Sequence, residues 1–265
     1  MATDVRSRRT FDPALSCARQ VIYRYCALAL ADPRTGSWAE LRQPASKRLV
    51  TDAAELIRLL AVASPEKLAA RELPLDNLDP GPMIERLPGT PAALSTIYES
   101  AFGLLAAGPC PPLETEYIHS KLTFQRSQQL ADVSGFYTAF GLRTSSAHPE
   151  RHDHITLELE FMASLIGLER EAHLHDGEHR DEYAEVCHKA QKKFLGDHLA
   201  WWAPAFARLL ALENPGGYYE AVGQLLAALI PAERALLGVA ASNGEVYPSS
   251  VEPPEQCEGC LLSSQ

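Results

Sequence analysis

The chain has 265 residues, 46% of them apolar and 22% charged, a balance expected of a soluble globular protein and not of a disordered or membrane-embedded one. Its formal net charge of −10 argues against nucleic acid as the main partner, because a phosphate backbone demands a basic face. No window approaches about eighteen uninterrupted apolar residues, so no stable membrane insertion is expected, and six cysteines are too few for a disulfide scaffold.

About 75 Leu and Ala stand against about 18 Ile and Val, which favours helices over strands. Near the start, Ser7-Arg8-Arg9-Thr10-Phe11 has the outline of a twin-arginine export signature. Asp12, Arg19 and Arg24 interrupt the apolar stretch that should follow, so the segment reads as a charged tail. Asp12-Pro13 then opens a helix carrying Leu15, Val21, Ile22, Tyr25, Leu28 and Ala29, which Asp32-Pro33 closes. Residues 45–62 repeat apolar positions at Leu49, Ala53, Leu56 and Leu60, and 65–73 reads as one more short helix. Between Pro74 and Pro91, five prolines (Pro74, Pro80, Pro82, Pro88, Pro91) announce a long irregular connection, a linker or a surface loop. Helical patterns resume over 92–107 and break at Gly108-Pro109-Cys110-Pro111-Pro112. They return over 114–124, 132–141, 155–174, 180–195, 198–210 and 217–228.

The spacing predicts an all-α chain with no strand, a single globular domain of about nine to eleven helices over residues 1–250. Residues 251–265 form a flexible tail. Its Cys257-x-x-Cys260 has zinc or redox spacing but lacks two further ligands, so no metal is assigned to it. Cys17, Cys26, Cys110 and Cys187 lie in apolar or helical surroundings and read as buried thiols of a reducing, cytoplasmic compartment.

The segment Asp153–Met162 carries the most information. At 100° per residue, Ile155, Leu157, Leu159, Phe161, Met162, Leu165, Ile166 and Leu168 cover a wide apolar arc, with Thr156, Glu160, Ala163, Ser164 and Gly167 opposite. Glu158 falls near the middle of the apolar arc. A carboxylate there is paired, raised in pKa, or set at the edge of a pocket. Asp153 suits the N-cap, and a histidine beside it, such as His154, tends to stay neutral at a helix N-terminus.

Asp153-His154-Ile155-x-x-Glu158-Leu159-Glu160-Phe161-Met162 resembles the signature of the TorD/DmsD/NarJ family of redox-enzyme maturation chaperones. Phe136-Tyr137-x-x-Phe140-Gly141-Leu142 is similar to that family's upstream Tyr-containing helix. Phe194-Leu195-x-x-His198-Leu199-x-x-Trp202-x-Pro204-x-Phe206 is similar to its C-terminal core motif. The family often has a proline two residues before Asp-His, whereas here Pro149 stands four before Asp153.

The resemblance implies a chaperone and no enzyme, without a cofactor of its own. It would bind the twin-arginine leader or N-terminal region of a molybdopterin-dependent catalytic subunit in the cytoplasm, hold it until cofactor insertion and release it for export. The family implicates the Asp-His pair in leader binding, which points to Asp153 and His154. A leader offers guanidinium groups and an apolar stretch, so Glu158 becomes a second candidate carboxylate, and Tyr137, Phe140 and Trp202 become candidate apolar walls. Either a monomer or a dimer fits the resemblance.

An enzyme reading competes. Glu116-x-x-His119 and Glu185-x-x-His188 have the spacing of a di-iron carboxylate bundle that Glu99 and Glu158 would complete, although the break at 108–112 leaves little helix between Glu99 and Glu116. No Gly-rich phosphate loop and no nucleophile elbow is present.

Overall fold

Asp12 caps the first helix as its position predicts. Its carboxylate accepts from the amides of Ala14 and Leu15 at 2.9 and 3.1 Å, and Pro13 takes the first helical position. The computed structural model describes residues 11–60, 67–103, 108–118, 123–145, 149–175, 177, 179–242 and 246–248. The helices are α1 (Pro13–Leu30), α2 (Ser37–Leu41), α3 (Pro44–Leu60), α4 (Gly81–Glu85), α5 (Pro91–Phe102), α6 (Thr123–Ala139), α7 (Ile155–Leu174), α8 (Arg180–Phe194), α9 (Ala200–Glu213) and α10 (Tyr218–Leu237). Among the described residues there is no strand beyond a single bridge between Leu113 and His154, and the fold is one all-α domain. No helix of the described residues is long and apolar enough to cross a membrane.

α1 packs against both α3 and α7, α8 backs α7, and α9 lies along α10. The α9–α10 crossing is tight at Gly223, where a Cβ would stand 2.4 Å from the Ala207 carbonyl oxygen, so only glycine lets the two backbones approach this closely. Ile22, Cys26, Leu159, Met162, Trp202, Phe206 and Leu225 are fully buried between these layers, each large side chain contributing roughly 1.5–3 kcal/mol of transfer free energy. α8 runs into α9 through a π-type turn, Leu195–Leu199, a widening of the helix that sets His198 and Leu199 into the interior.

Two buried ion pairs fix the register of these layers. Arg19 on α1 donates twice to Glu233 on α10 at 2.7 Å and once to Gln191 on α8 at 3.0 Å. Gln191 in turn donates to Glu169 on α7 at 2.6 Å. Arg234 on α10 pairs with Glu72, both side chains being almost wholly enclosed.

Several expectations are corrected. Residues 67–73 form no helix. Arg71 sits at φ 71°, and Pro74 disfavours helical backbone at Leu73. The Pro-rich stretch 74–91 is no free connection, because Leu78, Met83 and Leu87 are buried and α4 packs against α10. α10 does not stop at Ala228 but continues through Pro231. That proline has no N–H for the Ala227 carbonyl, and the oxygen accepts instead from the amide of Leu73 at 3.0 Å. Of residues 114–118 only Glu114–Tyr117 are wound, into a single 3₁₀ turn, and α6 extends back to Thr123 instead of starting at Asp132. Cys17 is exposed, whereas Cys26, Cys110 and Cys187 are buried free thiols. Residues 7–10, His119 and the Cys257–Cys260 pair lie outside the described residues.

Candidate functional site

The Asp153-His154 turn is tied across the chain to the segment that precedes α6. Backbone bonds run from Ile155 N to Pro112 O and from Glu114 N to Asp153 O, both at 2.9 Å. Asp153, with no exposed surface, accepts from the Thr115 amide at 3.2 Å and from the Thr115 hydroxyl at 2.7 Å. It also accepts from Arg151 Nε and Nη2 at 3.0 and 2.9 Å. Arg151 Nη2 donates to the Thr115 hydroxyl as well, at 2.7 Å, which closes a three-residue clasp. The carboxylate thus serves its own fold, and Arg151 already occupies its guanidinium-binding geometry.

His154, and not Asp153, is the N-cap of α7. Its Nδ1 lies 3.3 Å from the Thr156 amide and 2.7 Å from the Thr156 hydroxyl. Burial holds the imidazole down to about 4, against the pull of Asp153, so it caps the helix as the neutral base, as a helix N-terminus favours. Tyr137 donates to the His152 carbonyl at 2.9 Å and packs with Phe140, Phe161 and Phe194 in one aromatic cluster.

Glu158 is wholly buried, one oxygen accepting from Trp202 Nε1 at 3.2 Å and the other without a hydrogen bond. Burial, reinforced by the nearby Glu114, pushes its carboxyl well above the ordinary value, against the opposing bond from Trp202. A carboxyl whose folded pKa is raised contributes stability below its unfolded value of about 4.5 and loses it as pH rises through the folded value. Glu158→Gln removes that loss. The melting temperature of the variant minus that of the wild type is expected to grow between about pH 5 and about pH 8. A difference that stays constant across this range would contradict a raised pKa.

Glu114 is the third buried carboxylate of this region. It accepts from Gln129 Nε2 and Trp201 Nε1, each at 2.8 Å, and lies 3.1 Å from Nδ1 of the fully buried His198. On the other side of the imidazole, His198 Nε2 stands 3.4 Å from Asp132 on α6. Of these groups Gln129, Asp132 and Trp201 reach the surface of an open cleft of about 860 Å³ between the 114–117 turn, α6 and the π-type turn, while Glu114 and His198 are buried beside it. Tyr117, Gln128, Asp132, Asp197 and Trp201 line it.

The structure therefore brings Asp153, His154 and Tyr137 together at the turn that leads into α7, pairs Glu158 with Trp202 and sets Phe140 in the aromatic cluster, and none of the six lines the cleft. Sequence reasoning missed Glu114, Thr115, Arg151, Trp201 and Asp132. Thr115 and Asp153 are 38 positions apart, and nothing in local periodicity pairs them.

Among the described residues the di-iron set is not assembled. Glu99 and Glu185 are exposed, Glu185 pairs with Lys189, Glu116 lies 3.7 Å from Arg126, and His188 bonds to Glu169. Among the described residues no group of three or more His, Cys, Asp or Glu is placed to hold a metal.

Over residues 83–208 the chain matches the family model described as nitrate reductase delta subunit. It is 38% identical over 109 residues to the selenate reductase assembly chaperone protein of Thauera selenatis, a match covering 41% of this chain and 53% of that one. It is also 38% identical over 110 residues to the chlorate reductase assembly chaperone protein of Ideonella dechloratans, with the same coverage. To the chaperone protein TorD of Photobacterium profundum it is 31% identical over 106 residues, 40% of this chain and 46% of that one. The chain spans about half the length of the curated relatives it matches. These relatives are named as chaperones, none for a catalysed reaction.

Proposed function

We propose, from the premise that this chain belongs through residues 83–208 to the TorD/NarJ family of molybdoenzyme assembly chaperones, that it is a cytoplasmic assembly chaperone for the catalytic subunit of a molybdopterin-dependent oxidoreductase. It binds the twin-arginine leader or N-terminal region of the unloaded precursor and holds it until the cofactor is inserted, before export. It carries out no chemistry. Its work is differential affinity, tight for the precursor and weak for the loaded, folded enzyme.

The observation that carries this reading is the placement of the three sequence motifs. Those around Phe136, Asp153 and Phe194 converge on one contiguous region, where the Asp153–Thr115–Arg151 clasp and the aromatic cluster support an open cleft with acidic walls. Carboxylates beside aromatic surface suit a segment that carries both guanidinium and apolar side chains.

The test is affinity capture of the tagged full chain from a host that makes a molybdoenzyme, with and without tungstate to block cofactor assembly. The unloaded catalytic subunit is expected to co-purify, and in greater yield when the cofactor is blocked. Recovery of no molybdoenzyme subunit under either condition would sink the reading.

A further inference from the structure

We infer that the cleft between the 114–117 turn, α6 and the Leu195–Leu199 turn receives an arginine side chain of the client's leader, with Asp132 as its ion-pair partner and Trp201 as the surface on which it lies; this rests on the chaperone reading above. At about 860 Å³ the cleft has room for a guanidinium and several residues of extended backbone. Its charged lining is acidic, Asp132 and Asp197, and the buried Glu114 stands behind Trp201. The cations at its edge are already committed. Lys193 pairs with Asp197, and Arg126 lies beside Glu116. An anionic ligand such as a pterin phosphate or a nucleotide meets an unfavourable field there, and a cation a favourable one.

A second, independent observation singles out Asp132. His198 Nε2 is fully buried, has no hydrogen bond, and stands 3.4 Å from the Asp132 carboxylate. The other face of that imidazole is fixed by Glu114, so the histidine holds position behind Asp132 without using up its acceptor capacity. The Asp132 side chain is 56% exposed and retains lone pairs for a bidentate fork from the cleft side. Trp201 is also held in place, its indole N–H given to Glu114 at 2.8 Å, which leaves a positioned aromatic surface of the kind on which a planar guanidinium stacks. Gln128, exposed on the same wall, offers an amide to the backbone of an extended segment.

The experiment is calorimetric titration of the full chain with a synthetic peptide bearing Arg-Arg before an apolar stretch, and with its Lys-Lys and Gln-Gln counterparts. The wild type is expected to prefer Arg-Arg over Gln-Gln by roughly tenfold or more, with Lys-Lys between them. Asp132→Asn, a change at an exposed position, should lower Arg-Arg affinity about tenfold while leaving Gln-Gln affinity unchanged, so that the preference collapses. Asp132→Glu should restore part of it. If the wild type binds Arg-Arg and Asp132→Asn binds it equally well, the cleft assignment is overturned while the leader-binding reading stands. Equal affinity for Arg-Arg and Lys-Lys overturns the guanidinium assignment. Failure of the wild type to bind any of the three overturns both readings.

Discussion

Arg19→Met is expected to lower the free energy of unfolding by about 3–5 kcal/mol. Arg19 and Glu233 are 7% and 0% exposed, and the guanidinium meets the carboxylate through two bonds of 2.7 Å. Burial works against the charge on both, and their mutual attraction offsets it only while both are present. Methionine fills much of the volume but leaves the Glu233 carboxylate charged in an apolar interior, and it also strips the Gln191 side-chain carbonyl of its donor. Urea unfolding at neutral pH measures the effect, and the double variant Arg19→Met/Glu233→Leu should recover most of it. A loss below about 1 kcal/mol in the single variant would mean that the pair is already compensated by other contacts.

Asp153→Ala is the second. The motif position suggests a ligand contact, so a substitution there would be expected to weaken peptide binding and leave stability alone. The clasp reverses that expectation. Alanine leaves the enclosed Thr115 amide and hydroxyl without their acceptor and frees Arg151, at a cost of about 2–4 kcal/mol, discounted because Arg151 is half exposed. Differential scanning should show the melting temperature falling by about 5–10 °C. Binding should fall too, because the released segment carries Glu114, which positions Trp201 and His198. These outcomes would make Asp153 a positioning residue. A variant that melts within about one degree of the wild type yet binds no peptide would restore it to the contact surface.

Much of the fold was legible because local signals decide it. Asp12-Pro13, Asp32-Pro33 and the 3.6-residue period placed α1, and α7 was read to its last residue. The wheel for α7 misled in one respect. Ala163 and Gly167 fall opposite its apolar arc yet are buried, because α1 packs on that side and small residues let it come close. Glu160 does face outward, and Phe161 and Met162 are core. What the pattern could not supply was contact at long range. Thr115 meeting Asp153, Glu114 meeting His198 and Arg19 meeting Glu233 are pairings that no window of eighteen or so residues can show. The candidate site accordingly moved from the motif itself to the cleft that the motif supports.

The carbonyl of Ala227, left open by Pro231, gives the chain an order of assembly. The stretch before Pro74 finds its hydrogen-bond partner only after α10 has wound past the proline, and Glu72 and Arg234 latch the same turn. Because these contacts close a very long loop, as the Arg19–Glu233 pair does, they are expected late in folding, with little part in its nucleus. For the same reason they can open while α1, α7 and α8 stay packed, so amide exchange at Leu73 follows a local opening of lower free energy than global unfolding. A helix-breaking residue inside the α10 helix thereby becomes the seam along which the stretch before Pro74 is closed.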